Sequence, residues 1–257
     1  MRACAISSGS GGNCFYVEKN NSAILVDVGI SAKKVIERMN SLNLNVKKIK
    51  GIFVTHEHAD HIIGADVFAR RYNIPIYATK GTIANGNIGS NKDMIHQIKN
   101  SEIIKLGELK IEAFSKSHKA AEPVSYSIFD KNKVVSVITD AGYACENIND
   151  KISKSDFLFL ESNHDIKMLK NGPYPYFLKK WITSDSGHLS NTQAGLAVLE
   201  NGNKRLRNVV LSHISRTNNS PEVALNTFRN LLKKRSDFNA KLSVSLETTP
   251  TKLFSLA

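Results

Sequence analysis

Disulfides, membrane spans and interdomain linkers are all missing from this sequence. Its three cysteines, Cys4, Cys14 and Cys145, are an odd and scattered set in 257 residues. They cannot form a framework of bridges and read as reduced thiols in a cytoplasmic protein. No apolar run approaches the ~20 residues needed to cross a bilayer, so no membrane partner is expected. The N-terminus enters a strand and a glycine-rich loop without an apolar h-region, which argues against a secretory leader. No Ser/Gly/Pro-rich stretch, charge block or repeat period divides the chain. Acidic residues are also scarce: 23 Asp and Glu face 35 Lys and Arg, a net charge of +12. That balance favours a polyanionic partner, nucleic acid above all, through steering and counterion release. Individual lysines such as Lys47, Lys48 and Lys50 also read as an ordinary solvated face.

What the sequence does have is a dense metal-binding motif, His56-Glu57-His58-Ala59-Asp60-His61. It follows Gly51-Ile52-Phe53-Val54-Thr55, a short apolar run that reads as a buried strand. The residues after Asp60 carry helical periodicity, so the motif occupies a strand-to-helix turn. His56 and His58 point the same way at a strand end, because side chains repeat every two residues. Asp60 and His61 come from the first helical turn and face another side. This division into two pairs suits two adjacent cations better than one. Imidazole and carboxylate donors fit Zn²⁺, Mn²⁺ or Fe²⁺ and disfavour Cu(I).

Other histidines and acids stand at strand ends, where loops collect functional groups on a rigid scaffold and where any single His reads equally as a hydrogen-bonded structural residue. His118 follows a short strand over 109–114, Asp140 ends Val134-Val135-Ser136-Val137-Ile138-Thr139, and His213 ends Asn208-Val209-Val210-Leu211-Ser212. The hexapeptide and this ordered set resemble the HxHxDH signature of the metallo-β-lactamase superfamily. The resemblance implies one metal held by His56, His58 and His118, a second by Asp60, His61 and His213, and Asp140 bridging them. The two divalent ions would be Zn²⁺ or Mn²⁺. Of the eight histidines, only His96 falls outside these positions and the motifs below.

The implied fold is α/β (α+β): one αββα four-layer sandwich of two mixed β-sheets flanked by helices, a single domain over 1–257. Strands over 23–27, 51–54, 124–129, 134–139, 157–160 and 208–211 fit it, as do helices over 31–42, 60–72, 192–200 and 221–234.

Two more stretches refine the chemistry. Leu160-Glu161-Ser162-Asn163-His164-Asp165 ends a strand, and Gly187-His188-Leu189-Ser190-Asn191 leads into a helix with Ser190 or Asn191 as its N-cap. Helix N-termini attract phosphate, so Asn191 is a candidate substrate contact. His188 is placed to protonate a leaving oxygen. Glu161 and His164 could orient a ligand or touch substrate, and read equally as ordinary hydrogen-bonded residues. Between the stretches, Lys167, Lys170, Tyr174, Tyr176, Phe177, Lys179, Lys180 and Trp181 interleave charge with rings, as a strand-binding groove requires. A packed loop would look the same. The Ser7-Ser8-Gly9-Ser10-Gly11-Gly12-Asn13 loop could hold a phosphate on its amides, with Ser8, Gly9 and Asn13 as contacts, or be a turn between strands. It lacks P-loop spacing, so no nucleotide cofactor is expected.

The glycine loop, HEHADH, Glu161-Ser-Asn-His-Asp, Asn171-Gly-Pro-Tyr-Pro, Gly187-His-Leu-Ser-Asn and Leu211-Ser-His-Ile-Ser together resemble the YycJ/WalJ (VicX) group. Gly11 and the Tyr-Pro-Tyr-Phe run depart slightly from its pattern; neither removes a donor. The resemblance implies a metal-dependent phosphodiester hydrolase, a 5′-to-3′ DNA exonuclease; the mechanism expected for the donor set is attack by a hydroxide held between two cations, with Asp60 placed to accept its proton. DNA is favoured over RNA on that ground. The interval from Asp140 to His188 is too short for the clamping insertion of the β-CASP nucleases. A small-molecule metallohydrolase acting on a cyclic phosphodiester, lactone or thioester is the alternative. A non-catalytic binding protein is disfavoured by the complete donor set, and the sequence leaves the oligomeric state open.

Overall fold

The apolar runs of this chain are buried on both faces, and alternate residues of each strand enter different cores. In β2 (Cys14–Lys19), Phe15 and Val17 join one cluster while Cys14 and Tyr16 join another. In β11 (Phe157–Glu161), Phe157 and Phe159 share the cluster of Phe15, whereas Leu158 and Leu160 face away into a third. The period-2 geometry of a strand demands this split, and burial of both faces explains why these runs show little polar alternation.

The computed structural model describes residues 1–256; Ala257, the last residue of the expected domain, lies outside them. Two seven-stranded sheets carry the fold. The first contains β1 (Arg2–Ser7), β2, β3 (Ser22–Val26), β4 (Ile49–Phe53), β5 (Ile76–Thr79) and β6 (Ile95–Ile98), edged by β14 (Phe254–Ser255). The second contains β7 (Ile103–Leu106), β8 (Leu109–Ser115), β9 (Val124–Phe129), β10 (Val134–Ile138), β11, β12 (Asn208–Ser212) and β13 (Lys241–Val244). Each sheet is antiparallel on one side and parallel on the other: β3 to β6 run parallel in the first, β10 to β13 in the second. The Phe15–Phe159 cluster fills the space between the sheets.

Helices cover both outer faces. α1 (Ala32–Ser41) and α3 (Ala65–Tyr72) bury Val35, Met39 and Phe68 on the first sheet. α5 (Glu146–Lys154), α8 (Asn191–Asn201) and α9 (Pro221–Leu232) bury Ile152, Val198 and Phe228 on the second. The result is the expected four-layer αββα sandwich. Ser190 caps α8 through a capping box with Gln193. The short helices α2 (Ala59–Ile62), α4 (Lys80–Asn85), α6 (Ile166–Asn171) and α7 (Tyr176–Ile182) complete the described set; no described helix is long and apolar enough to cross a membrane.

The helix expected over 60–72 is two helices, α2 and α3, broken at Gly64. Its amide donates to the Val28 carbonyl at 2.9 Å, and a Cβ there would stand 2.0 Å from the Ile30 carbonyl. Backbone approaches backbone too closely for any side chain.

At one end of the sandwich, the C-terminal ends of β3, β4, β10, β11 and β12 converge. Three non-glycine residues just past these ends hold left-handed backbone: Asp27 (φ 59°), Asp140 (φ 53°) and His213 (φ 54°). Each such residue costs about 1–2 kcal/mol, and strain of this kind gathers where function requires it.

The inter-sheet core is closely packed. Phe159 is fully buried with ring centroids 5.0 Å from Phe15 and 4.9 Å from Phe157. Phe159→Ala is expected to cost about 3–5 kcal/mol in urea denaturation; a loss under about 1 kcal/mol would contradict this packing.

Candidate metal centre

The HEHADH stretch spans the β4–α2 turn, and its donors separate as their spacing suggests. His56 Nε2 lies 2.9 Å from His58 Nδ1, which lies 3.4 Å from His118 Nε2. These three atoms point at one another. On the other side, Asp60 Oδ2 is 3.3 Å from His61 Nε2 and 3.5 Å from His213 Nε2. Asp140 stands between the sets, with Oδ2 3.0 Å from His61 Nε2 and Oδ1 3.9 Å from His118 Nε2. Within each set the donor atoms all lie within 4.8 Å of one another. Asp60 is the carboxylate most open to the cleft, its side chain a quarter exposed against 2% for Asp140.

Hydrogen bonds behind these donors fix which ring nitrogen is bare. Asp27 Oδ2 accepts from His61 Nδ1 at 2.7 Å and from the Thr55 hydroxyl at 2.9 Å, and Oδ1 accepts from the Thr55 amide at 2.7 Å. Because the Thr55 hydroxyl spends its proton on Asp27, His56 Nδ1 must donate to it across 2.9 Å. His118 Nδ1 donates to the Gly187 carbonyl at 3.0 Å. His213 Nδ1 donates to Glu161 Oε1 at 3.0 Å. In each of these rings the outer nitrogen is held by an acceptor, which leaves Nε2 as the atom facing inward. Imidazoles that ligate metals are held in this way.

The donors fit divalent cations. His61 Nε2 and Asp140 Oδ2 approach to 3.0 Å, yet the carboxylate oxygen is buried without a hydrogen-bond donor. A buried acceptor in that position requires a cation or a proton. The field asks for the same. Burial opposes charge on His61, but Asp60, Asp140 and Asp27 outweigh it and lift its pKa well above the usual value. Burial likewise opposes charge on His213, yet Asp140, Asp60 and Glu161 raise it to about 10. Burial instead dominates at His56, which is pushed well down, and at His118, pushed to about 4. Their neutral rings are therefore ready to donate lone pairs.

Comparison with known proteins agrees with the geometry. A family model described as a beta-lactamase superfamily domain matches residues 22–214. Over 235 residues the chain is 35% identical to exodeoxyribonuclease YycJ of Bacillus anthracis, covering 90% of this chain and 88% of that one. The chain belongs to the metallo-β-lactamase superfamily, in its YycJ/WalJ group. Exodeoxyribonuclease WalJ of Streptococcus pneumoniae serotype 2 (strain D39) is 34% identical over 234 residues, covering 88% of this chain and 86% of that one. Among solved structures, the metallo-β-lactamase fold protein YhfI of Bacillus subtilis superposes with a TM-score of 0.72 at 16% identity, covering 98% and 99% of the two chains.

Within this superfamily frame, the other expected site residues divide sharply. His188 joins the centre: its Nδ1 donates to Glu161 Oε1 at 2.8 Å, and its ring meets Trp181 edge-on at 5.4 Å. Glu161 is wholly buried, and its Oε2 also accepts from the amides of Ala141 and Leu189. These bonds use both oxygens, so Glu161 positions His188 and His213 and does not reach substrate. Burial raises its pKa less than His188, His213 and these bonds lower it, to about 2. His164 is 1% exposed, its Nδ1 is unpartnered, and it lies outside the side chains lining the cleft.

The glycine loop is a correction. Ser8, Gly9 and Asn13 are buried, and the amides of Ser8, Gly9, Gly11, Gly12 and Asn13 are all bonded within the protein. The three residues expected as contacts do not line the cleft; of this loop only Ser10 does. The loop instead braces the centre: the Asn13 amide donates to the Asp60 carbonyl at 2.8 Å, and its Nδ2 donates to Asp60 Oδ2 at 3.3 Å. Asn191 is also buried, its Oδ1 taken by Ser162 and Asn219. Lys179 and Lys180 line a groove beside the cleft rather than the cleft itself. His96 stacks on Tyr77, 5.1 Å away, far from these functions.

Sequence reading passed over Asp27 and Thr55. The available signal was an acid ending the apolar run of β3, the same pattern that singled out Asp140. Asp27→Ala is expected to weaken metal affinity about 10–100-fold while the far-ultraviolet circular dichroism is retained. Competition against a chromophoric chelator measures it; unchanged affinity would remove Asp27 from the centre.

Proposed function

We propose that this protein is a metal-dependent 5′-to-3′ exodeoxyribonuclease that hydrolyses phosphodiesters at the end of a DNA strand. The observation that carries the chemistry is Asp140 standing between two donor sets at the floor of one cleft. One divalent cation, Zn²⁺ or Mn²⁺, would be held by His56, His58 and His118, and a second by Asp60, His61 and His213, with Asp140 shared. When bound, such a pair lowers the pKa of water and offsets charge on the phosphoryl oxygens.

The remaining steps belong to the chain. Asp60, the carboxylate turned toward the cleft, accepts the proton of the attacking water. His188 keeps Nδ1 on Glu161 and presents Nε2 to the leaving oxygen, a division of labour that general acid catalysis requires. Asn13 holds Asp60 in place from behind. Trp181, Leu178 and Tyr174 wall the cleft, whose volume of about 280 Å³ is at or below the about 300–1,000 Å³ of sites that enclose whole drug-sized ligands. Action at a strand end is supported by the names of the two similar proteins, both exodeoxyribonucleases. The net charge of +12 suits a polyanion. DNA is supported by two relatives whose names describe exodeoxyribonucleases and whose lengths match this chain closely.

The test is digestion of a 5′-phosphorylated, end-labelled duplex with added Mn²⁺. Wild-type protein is expected to shorten the duplex stepwise and Asp60→Ala to leave it intact. His188→Ala is expected to lose about 10²–10⁴-fold in turnover with metal content unchanged. An intact duplex alongside hydrolysis of bis-p-nitrophenyl phosphate would redirect the assignment to a small phosphodiester. Full activity of His188→Ala would remove it from the reaction.

A further inference from the structure

The segment between β11 and α8 carries two faces that the proposed chemistry does not use equally. Tyr174, Leu178, Trp181 and Ile182 face the catalytic cleft. Tyr176, Lys179, Lys180 and Thr183 face the opposite way, into a groove of about 520 Å³ shared with Lys170 and Ile166. Spacings of three and four residues place side chains on one helical face, so α7 is a ridge with a cavity on each side. At its crest stand the two most exposed large hydrophobic residues among those described, Tyr176 at 80% and Phe177 at 74%. Neighbouring aromatic rings in water at the lip of a catalytic cleft gain nothing for folding.

The outer groove is lined by lysines where the cleft is lined by metal donors. Lys170, Lys179 and Lys180 line it, and Lys179 Nζ is anchored on the Lys170 carbonyl at 2.8 Å, which fixes one positive charge in the groove wall. The cleft side holds Asp60, Asp140 and the imidazoles. A polyanionic strand without a scissile bond belongs on the lysine side, and a strand to be cut belongs on the donor side. The cut strand has to reach the donors on the cleft side while the lysines lie on the other side of α7, so the ridge stands between the two paths.

We propose that α7 is a strand-separating ridge. The terminal base pair of a duplex meets Tyr176 and Phe177, the cut strand passes over Leu178 and Trp181 into the cleft, and its complement runs along Lys170, Lys179 and Lys180. Stacking of an exposed base on an aromatic ring is comparable in strength to the base-pair step given up, so the ridge offsets the cost of fraying. This inference rests on the reading of the protein as a DNA exonuclease.

The experiment compares two 5′-phosphorylated duplexes of one sequence, one blunt and fully paired, the other with mismatched terminal pairs that are already open. Each is digested by wild-type protein and by the Tyr176→Ala/Phe177→Ala double variant, both loaded with Mn²⁺. The ratio of blunt to pre-opened rates is expected to fall about tenfold in the variant, the effect of losing about one base–aromatic stack. Because both rates come from one preparation, loss of folded protein cancels. An unchanged ratio overturns the proposal in two recognisable ways. If both rates fall together, the rings grip only the cut strand; if neither falls, the crest does not meet nucleic acid. Wild-type protein that degrades neither duplex overturns the exonuclease reading and the ridge together, an outcome distinct from both.

Discussion

The Asp27 carboxylate is the interaction on which the rest of the centre depends. It is wholly buried at the end of β3, in left-handed backbone, and accepts three hydrogen bonds from Thr55 and His61. Those bonds fix the tautomer of His61 directly and of His56 through the Thr55 hydroxyl. Glu161 repeats the arrangement from the second sheet. It ends β11, is equally buried, and orients His188 and His213. Each half of the sandwich thus supplies one buried acid that aims two imidazoles at the seam between the sheets. Asp140, at the end of β10, closes the seam.

Such a site works against stability. Buried carboxylates are costly unless they are paired and hydrogen-bonded, and three of the seam residues also bear left-handed backbone. The compensation lies in the three hydrophobic clusters, which bury both faces of both sheets. Close backbone packing adds constraint: a Cβ on Gly29 would stand 1.7 Å from the Asp60 carbonyl. The position of Asp60 is thereby set by main chain, with Asn13 closing on it from the other side.

Much of this was legible in the sequence because metal donors are chemically unusual and cluster. HEHADH stood out on its own, His118, Asp140 and His213 followed from the family resemblance it carries, and the apolar runs identified most parallel strands. Residues that act through hydrogen bonds were harder. Asp27 and Thr55 look like any strand-end pair until folding sets His61 against them. The glycine loop read equally as a phosphate contact or a turn, and the choice turns on amides that the fold gives to Glu247, Leu246 and Asn13. Periodicity ran through Gly64 and hid a break at which its amide donates to the Val28 carbonyl, a tertiary contact. The aromatic and basic residues of α7 were recognised as a mixture, but only the structure separates them into a cleft face and a groove face.

The central claim is that two cations share Asp140. Anomalous diffraction from crystals grown with Mn²⁺ tests it most directly. The account predicts two peaks about 3.5–4 Å apart, one among His56, His58 and His118, the other among Asp60, His61 and His213. A single peak, or one held by Asp140, Glu161, His188 and His213, whose donor atoms are also mutually close, would contradict it.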